Sequence, residues 1–430
     1  MHVTMISYRE AIDRLLAQLS VLPSQSCTVA DALGRVLAWP VSSPLALPSF
    51  DHAAMDGYAL HAPRPLKVGS EHLVHDSQAA GDEARTAHGG AWEIMTGARL
   101  PDGLDAVVAV ERTELLETLP DGTPHRIRLR DEVSQGQNVR YAGTDMALGA
   151  CVLAAGECIE APQIMLLAAL GVASVEVVRR PRVAIICTGK ELQSDPMQPL
   201  GDGQIYSSNG PYLVAALRQA GAEVLCCETV DDTAVTYAQA LQRAVAAGAD
   251  LVISTGAVSM GRYDFVPDAL RQLDADVLFH KVAMRPGKPL LAARWPAGPM
   301  ILALPGTPMA VAAGARFFVA PVLRAMAGQG REPVLHASLA SAQSPKAGFR
   351  HFLRARLQLD NNGRLKAQVS RQQQPFRIQP FAEADAWVVL GEDAGDCPAG
   401  TLVEIVSLEL GSPLRIGNDR NPPNSPRSTS

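Results

Sequence analysis

The chain has 430 residues, a formal net charge of −6 and a hydrophobic content of 47%. This length predicts about three or four domains, with enough apolar residues for several cores. The acidic balance argues against nucleic acid and against an anionic membrane surface as partners, because proteins that bind either are usually basic. Any site for an anion must therefore be a local feature of the fold.

The cysteines and the N-terminal segment indicate a reducing compartment. Seven cysteines are scattered without a Cys-x-x-Cys pair, a pattern typical of reduced thiols rather than of disulfides or a zinc site. Cys226 and Cys227 fall in a predicted strand, where core packing is the simplest role. Residues Ser7-Tyr8-Arg9-Glu10 predict a capping box that opens an amphipathic helix, not a signal peptide. The apolar run 164–175 is too short to cross a bilayer, so we expect a cytoplasmic protein outside the membrane.

The first 180 residues predict two interleaved lobes. Residues 1–45 contain the opening helix, and residues 141–180 contain a strand, a helix beginning near Ala161-Pro162 and a β run. Between these segments, short β-like runs alternate with Gly, Pro and Asp. We expect residues 1–45 and 141–180 to form one helical or mixed lobe, with residues 46–140 as a β-rich lobe inserted into it.

Residues 181–328 predict an α/β domain. Apolar strand segments alternate with helical segments, a pattern typical of a doubly wound, mostly parallel sheet. Residues 329–412 return to short strands with a turn at 360–363, which predicts a small C-terminal β-barrel, with a sandwich as the alternative. Residues 413–430 are polar and proline-rich, so we expect a disordered tail. The predicted fold class is a multidomain α/β protein.

Loops that follow the strands of a parallel sheet emerge at one edge, where ligands bind. The loop at 255–264 is rich in small residues and opens a helix, where free N–H groups hold an anion. The other loops at this predicted edge carry carboxylates, fixed cations and tight turns: Thr188-Gly189-Lys190-Glu191, Asp231-Asp232, Arg285-Pro286-Gly287-Lys288-Pro289 and Pro305-Gly306-Thr307-Pro308. Carboxylates beside a phosphate need a cation between them, and Mg²⁺ binds one or two carboxylates together with substrate oxygens and water.

Each of these residues alone also has a purely structural interpretation. Asp264 and Asp231 are consistent with helix caps, and Arg285 and Lys288 with solvated surface. Agreement among five loops favours a joint phosphate and magnesium site over these separate roles. We therefore predict Mg²⁺ as the cofactor, with Glu191, Asp231 and Asp264 as its ligands.

A second polar cluster flanks the predicted β-rich lobe. Asp56 lies among small residues at the entry to the lobe, and Thr96 precedes a Pro-Asp-Gly turn. Arg140 and Asp145 frame the exit from the lobe. Physical reasoning alone makes these hinge-like loops, and a turn aspartate that accepts backbone N–H groups explains Asp56 equally well.

Eight motifs, taken together, resemble a known family. They are MDGYA (55–59), MTGARLP (95–101), RYAGTD (140–145), TGKEL (188–192), SSNGPYL (207–213), STGAVSMGRYDF (254–265), VAMRPGKP (282–289) and LPGTPMA (304–310). Over residues 5–410 their order resembles that of the molybdopterin molybdenumtransferases, the family of bacterial MoeA and of the C-terminal domain of gephyrin. MDGYA, PGKP and LPG-x-P together are the most specific part of the resemblance.

The resemblance implies an elongated homodimer of four-lobed subunits, with each active site between the α/β domain of one subunit and the N-terminal lobes of the other. It implies a reaction of adenylylated molybdopterin with molybdate that yields molybdenum cofactor and AMP in the presence of Mg²⁺. Molybdoenzymes and the adenylyltransferase that prepares the substrate are candidate partners. The protein would act by positioning and charge neutralisation rather than through a covalent nucleophile.

Carried over by motif, the resemblance assigns roles to residues of both clusters. The catalytic residues would be Asp56, Arg140, Asp145 and Lys288. The metal ligands would be the three carboxylates named above. The substrate-binding residues would be Thr96, Thr188, Gly256, Ser259, Gly261, Arg285, Pro289, Pro305, Thr307 and Pro308. The residues of the N-terminal lobes would reach in from the neighbouring subunit.

The chain departs from the family pattern at several places. Ala257 stands where the phosphate loop usually has glycine, and it costs about 1 kcal/mol if the position needs a positive φ. Further departures are Arg285 for lysine, Thr307 for asparagine, His52-Ala53 for Asn-Ser, and Gln374-Pro375-Phe376 in a region that generally has Gly-Ser. A paralog with weakened catalysis, acting as a carrier or scaffold for the cofactor, is therefore an alternative. A third candidate, the adenylyltransferase, is disfavoured by the flanking lobes.

Overall fold

The computed structural model describes residues 5–259, 264–411 and 414. The predicted tail, residues 413–430, lies outside these ranges except for residue 414. In the first 180 residues the elements are, in chain order, α1 (Tyr8–Leu16), β1 (Ser24–Thr28), β2 (Val41–Ser42), β3 (His52–Ala53), β4 (Gly57–Leu60), β5 (Glu71–Gln78), β6 (Ala91–Ile94), β7 (Ala106–Ala109), β8 (Thr113–Thr118), β9 (Pro124–Leu129), β10 (Val139–Arg140), β11 (Cys151–Leu153), α2 (Ala161–Ala169) and β12 (Ser174–Val178).

The N-terminal part of the chain forms two sets of strands. Strand β1 pairs with β12, and β2 pairs with β11, so the segments on either side of the β-rich segment lie together. The β-rich segment itself forms a sheet in the order β7-β4-β6-β5-β9-β8. The short pair β3–β10 joins the two ends of this segment, with His52 opposite Arg140.

The α/β domain follows in chain order as β13 (Arg182–Thr188), β14 (Leu192–Gln193), β15 (Ile205–Tyr206), α3 (Asn209–Gln219), β16 (Glu223–Val230), α4 (Ala234–Ala246), β17 (Leu251–Thr255), α5 (Val266–Gln272), β18 (Asp276–His280), β19 (Met284–Arg285), β20 (Leu291–Arg294), β21 (Met300–Leu304), α6 (Pro308–Gly314) and α7 (Ala320–Met326). The main sheet has the order β16-β13-β17-β21-β20-β18. Its first four strands are parallel, which confirms the predicted doubly wound, mostly parallel sheet.

The directions of the last two strands, β20 and β18, agree with the prediction that the loops meet at one edge of the sheet. Strand β20 is antiparallel to both β21 and β18, so β18 runs in the same direction as the parallel strands. The loop that follows β18 therefore emerges at the same edge as the loops after β13, β17 and β21. At the other side of the sheet β16 is an edge strand, where Cys227 is exposed and Cys226 is half-buried. Cys226 packs against the core that covers one face of the sheet, as predicted, whereas the prediction of core packing is wrong for the exposed Cys227.

Helix α1 begins as the capping box predicts, because the Ser7 hydroxyl accepts the Glu10 N–H at 3.1 Å. Its apolar face is buried against the α/β sheet, where Ala11 and Leu15 are fully enclosed. Tyr8 donates its hydroxyl to the Phe317 carbonyl at 3.1 Å. Helix α1, which lies within the predicted N-terminal segment 1–45, therefore packs its apolar face on the α/β domain.

The helical run Pro308–Met326 is long and apolar enough, by composition, to cross a membrane. Its most apolar stretch is 83% buried inside the molecule. It consists of α6, a π-helical turn at Ala315–Val319 and α7, and its side chains share the core that covers one face of the sheet. This burial identifies it as a core helix.

The C-terminal region contains β22 (Leu335–Leu339), β23 (Arg350–Leu359), β24 (Leu365–Val369), α8 (Gln379–Ala382), β25 (Ala386–Leu390) and β26 (Leu402–Ser407). The strands run in the order β23-β24-β22-β26-β25, and β25 pairs back with β23. The predicted small β-barrel is therefore confirmed as a closed barrel of five strands. Strand β19, from the loop after β18, adds to β23 in parallel, with Arg285 opposite His351.

Candidate functional site

Three parallel strands end side by side at the predicted edge. Strands β13 and β17 are paired at Cys187 and Thr255, and β17 and β21 at Thr255 and Leu304. The Gly256 N–H donates to the Leu304 carbonyl at 2.9 Å, and the Thr188 hydroxyl donates to the Thr255 carbonyl at 3.1 Å. The loops after these strands are therefore fixed against one another by backbone and side-chain bonds.

Two adjoining cavities open at this edge. The first, called here the polar pocket, has a volume of about 480 Å³ and is lined by residues from the Thr188, Ser207-Ser208-Asn209, Gly256 and Thr307 loops. The second, called here the cationic pocket, has a volume of about 390 Å³ and is lined by the turn from Met284 to Pro289 together with Val258, Ser259, Pro305 and Pro375. The two pockets share Ala257, Asp264, Gly306 and Thr307. They therefore form one bipartite site.

The segment Gly256-Ala257-Val258-Ser259, called here the glycine loop, forms the wall between the pockets. Gly256 has a φ of 95°, and a Cβ atom there would lie 2.6 Å from the Thr188 hydroxyl oxygen, so only glycine fits. Ala257 has a φ of 48°, in the left-handed region. Alanine in that conformation costs about 1–2 kcal/mol relative to its preferred one. Ala257 therefore replaces the family's glycine at a position where glycine would adopt the backbone conformation with less strain than alanine.

Two of the three predicted metal ligands line the site. Glu191 lines the polar pocket, and Asp264 lines both pockets. Asp264 is not a helix cap, because α5 begins at Val266 with Phe265 as its N-cap residue. Gly261, a predicted substrate-binding residue, lies outside the described residues.

The third predicted ligand, Asp231, does not line the site, whereas its neighbour Asp232 does. Asp231 lines neither pocket, because it turns the chain into α4, with its carbonyl accepting the Thr236 hydroxyl at 2.8 Å. Asp232 lines the polar pocket and accepts the Lys190 N–H at 3.2 Å. The sequence signal was a pair of adjacent aspartates, and only the local turn decides which of them faces the pocket.

The carboxylates do not form a closed metal cage. Among residues 5–259, 264–411 and 414, no group of three Asp, Glu, His or Cys side chains is close enough to hold a metal by itself. Glu191, Asp232 and Asp264 nevertheless line one pocket. This donor set fits Mg²⁺, which keeps several waters and is usually bound by one or two carboxylates and substrate oxygens.

Three cations surround one aromatic ring beside the cationic pocket. The guanidinium carbon of Arg285 lies 4.8 Å from the Phe349 ring centre, and the Lys288 ammonium lies 5.9 Å from it. Lys346, from the C-terminal barrel, places its ammonium 5.6 Å from the same ring. Sequence reasoning missed Lys346 and Phe349, because both lie far along the chain from the PGKP motif.

The C-terminal barrel also contributes a wall of the cationic pocket. Pro375 lines the pocket, and its carbonyl accepts the Met309 N–H at 3.0 Å. The segment 372–377 is held by the buried Arg354, whose guanidinium donates to the carbonyls of Gln372 and Arg377 at 2.6 Å each. The departure at Gln374-Pro375-Phe376 therefore lies at the site itself.

A further loop contact was missed among the sequence motifs. Asn209, within SSNGPYL, donates its side-chain amide to the Gly306 carbonyl at 2.8 Å. This bond links α3 to the loop after β21, and both residues line the polar pocket. The other predicted residues of this edge, Thr188, Ser259, Pro289, Pro305, Thr307 and Pro308, all line one of the two pockets or both.

The second predicted cluster lies elsewhere in the chain. Asp56 is exposed, and one of its carboxylate oxygens accepts the Thr96 N–H at 2.6 Å and the Thr96 hydroxyl at 2.8 Å. The N–H bond, then the hydroxyl bond, lowers the pKa of Asp56. Arg140 lies in β10, and the Asp145 N–H donates to the Leu47 carbonyl at 3.0 Å. None of these four residues lines either pocket of the same chain.

Three successive parts of the chain match known protein families. Residues 6–171 match "MoeA N-terminal region (domain I and II)", residues 184–325 match "Probable molybdopterin binding domain", and residues 336–408 match "MoeA C-terminal region (domain IV)". The fold, the site and these matches thus define a protein of molybdenum cofactor biosynthesis.

Individual relatives agree over nearly the whole chain. The molybdopterin molybdenumtransferase of Synechococcus elongatus is 34% identical over 417 residues, covering 94% of this chain and all of that protein. Molybdopterin molybdenumtransferase 2 of Mycobacterium tuberculosis is 36% identical over 88% of this chain and 94% of its own length. The crystal structure of the molybdopterin biosynthesis MoeA protein of Pyrococcus horikoshii superposes with a TM-score of 0.77 at 26% identity, over 94% of this chain and 99% of that one. The chain belongs to the molybdopterin molybdenumtransferase (MoeA) family.

The left-handed backbone conformation of Ala257 leads to a prediction about stability. Ala257→Gly should raise the free energy of unfolding by about 0.5–1 kcal/mol, because relief of the left-handed strain exceeds the entropic cost of glycine. Urea unfolding followed by circular dichroism measures the change. Gly256→Ala is the matched control and should destabilise, since its Cβ would meet Thr188. Lower stability of Ala257→Gly would contradict the prediction.

The Asp56–Thr96 pair generates a prediction about pH. Thr96→Val removes the hydroxyl donor, so the pKa of Asp56 should rise toward its ordinary value while the backbone bond still holds it down. Because the folded pKa of Asp56 lies below its unfolded value, the stabilisation from ionised Asp56 is lost as the pH falls from the unfolded pKa through the folded pKa. In the variant the folded pKa lies closer to the unfolded one, so this loss should be smaller and should be complete at a higher pH.

Carbon-13 NMR of aspartate-labelled protein measures this titration. Thr96→Ser keeps a hydroxyl and should leave the midpoint near that of the unmodified protein. An Asp56 midpoint that is the same in all three proteins would show that the hydroxyl bond does not act on the carboxylate.

Proposed function

We propose that the protein transfers molybdenum from molybdate into adenylylated molybdopterin with release of AMP, as an Mg²⁺-dependent homodimer in the cytoplasm. The observation that carries this proposal is the bipartite site, where the glycine loop, the PGKP turn and acidic loops line two adjoining pockets. Family membership supplies the reaction class, since relatives named molybdopterin molybdenumtransferase match 88% or more of the chain.

The acidic side of the site suits a phosphate-bound cation. Glu191, Asp232 and Asp264 would hold Mg²⁺ together with substrate oxygens, and the ion would neutralise the charge of the pyrophosphate linkage. The chain's own part is to fix that linkage against the glycine loop, whose backbone lines both pockets. Restricting the substrate to one orientation lowers the barrier without a covalent intermediate.

The cationic pocket suits an oxyanion. Arg285, Lys288 and Lys346 each lie within 6 Å of the centre of the Phe349 ring, so three positive charges are available beside this pocket to attract an anion. Molybdate is a dianion of the size that such a cluster can attract. Cations drawn from the PGKP turn and from the barrel support the delivery of molybdate next to the bound pterin.

The separation of the two predicted clusters supports a shared active site. Asp56, Thr96, Arg140 and Asp145 do not reach the pockets of their own chain. A second copy would supply them if its N-terminal lobes cover the α/β edge, as in the homodimer that we propose. Asp56, held ionised by Thr96, would then face the bipartite site as a fixed charge.

The carrier or scaffold alternative is not favoured. The relatives that match nearly the full length are named as transferases, and the acidic and cationic residues of the site are present. Molybdoenzymes and the adenylyltransferase stay candidate partners, as sources or recipients of the pterin.

The proposal predicts an Mg²⁺-dependent release of AMP. Purified protein incubated with adenylylated molybdopterin, molybdate and Mg²⁺ should release AMP, measured by chromatography, and chelation of the metal should stop the release. Glu191→Gln and Asp264→Asn should each lower kcat/KM by about tenfold to a hundredfold with little change in melting temperature, since each removes one metal-binding carboxylate.

Asp268→Asn is the matched acidic control, because Asp268 lies in α5 near Asp264 but pairs with Arg271 on the surface. It should leave the rate unchanged. Absence of AMP release at every molybdate concentration would refute the transferase. Carboxylate variants that unfold while keeping full activity per folded molecule would refute the metal-binding assignment.

The shared site predicts complementation between inactive subunits. Asp56→Ala and Lys288→Ala homodimers should both be inactive, whereas a mixed dimer contains one site built from two unmodified halves. Differently tagged subunits, co-expressed and purified by both tags, should recover up to about half of the normal rate per dimer. Mixed dimers, verified by native mass spectrometry, that stay inactive would exclude this arrangement.

A further inference from the structure

A buried histidine touches the glycine loop from behind the site. His280, the last residue of β18, is 3% exposed, and its Nε2 lies 2.8 Å from the Val258 carbonyl oxygen. A carbonyl oxygen only accepts hydrogen bonds, so Nε2 carries the proton and donates it. His280 itself lines neither pocket, so it has no part in the proposed chemistry.

Backbone bonds and the packing of Val258 in the core also hold the glycine loop in the part of the chain that the structure describes. The Gly256 N–H donates to the Leu304 carbonyl at 2.9 Å, and the Ala257 carbonyl accepts the Val266 N–H at 3.2 Å. Val258 is held by the burial of its side chain in the core, and its carbonyl is fixed by the His280 side chain, which reaches it from the end of β18. Val258 and Ser259 both line the cationic pocket, so this bond acts on a wall of the site.

Ala257, which precedes the residue bonded by His280, has an unfavourable backbone conformation. Ala257 has a φ of 48°, which an L-residue rarely adopts. An unrestrained loop would relax toward negative φ at Ala257 and move Val258 and Ser259 away from the pockets. The His280 bond opposes this relaxation at the next residue along the chain.

We propose that His280 is a positioning residue that holds the glycine loop in the left-handed conformation that Ala257 disfavours. The histidine does not touch substrate. It sets the position of the Val258 and Ser259 backbone against the Met284–Pro289 turn, and with it the fit of the substrate phosphates. This inference rests on the proposed function for its kinetic test and on the loop geometry alone for its structural test.

The test is a cycle of variants at two positions. His280→Met removes the hydrogen-bond donor but keeps an apolar side chain of similar volume. It should raise KM for adenylylated molybdopterin by about tenfold with little change in kcat, because a tenfold loss of affinity corresponds to the net free energy of about one hydrogen bond. His280→Gln offers an amide N–H at similar reach and should restore most of the affinity. In the Ala257→Gly background, where left-handed φ is unstrained, His280→Met should raise KM much less.

His72→Met is the matched control for the loss of a half-buried imidazole outside the site. His72 lies in β5 with its Nε2 3.1 Å from the Ser70 hydroxyl, and its replacement should leave KM unchanged. If His280→Met raises KM equally with and without the Ala257→Gly change, the proposal is overturned. A His280→Met variant that loses thermal stability but keeps its KM would overturn it as well.

Hydrogen exchange separates this proposal from the assigned reaction. In the unliganded protein, the amides of the peptide spanning 251–259 should exchange faster in His280→Met than in the unmodified protein, and the Ala257→Gly change should reverse the difference. Protein that releases no AMP yet shows this pattern would refute the transferase and keep the role of His280. Unchanged exchange in the loop would refute the role of His280 whatever the activity.

Discussion

The in-register ending of strands β13, β17 and β21 is the constraint on which the site depends. Because these strands are parallel neighbours that end together, the three loops after them start within bonding distance. Gly256 makes the approach possible, since any side chain there would collide with Thr188. The two pockets, the carboxylates around them and the left-handed turn at Ala257 all follow from this one close packing of backbone.

The direction of the strands and the glycine-rich loops were predictable from the sequence because they depend on local periodicity and on turn chemistry. These two features were enough to predict a ligand site at this edge of the sheet. Most of the residues that the motifs assigned to this edge do line one of the two pockets. The choice between Asp231 and Asp232 was not predictable, because a one-residue difference in a turn reverses which side chain faces the pocket. Periodicity also could not tell which domain receives the apolar face of α1, nor that β16 is an edge strand.

The contribution of the barrel to the site lay beyond sequence reasoning for a different reason. Lys346 and Phe349 carry no motif, and they reach Arg285 and Lys288 only because β19 pairs with β23. Contacts between distant segments depend on how whole domains are arranged, which no single window of residues records. His280 was missed likewise, since a lone histidine in a strand usually indicates no more than a satisfied core residue.

The pairing of β19 with β23 has a consequence for how this protein can diversify. The side of the site that contains the glycine loop is built into the central sheet, where a change at Gly256 or Thr188 would disturb the packing of several strands. The opposite wall contains Pro375, on a loop of the C-terminal barrel, and Lys346 lies on another barrel loop beside this pocket. Strand β23 of the barrel pairs with the two residues of β19. Substitutions in the barrel loops can therefore reshape the cationic pocket while the half of the site built on the sheet stays constant.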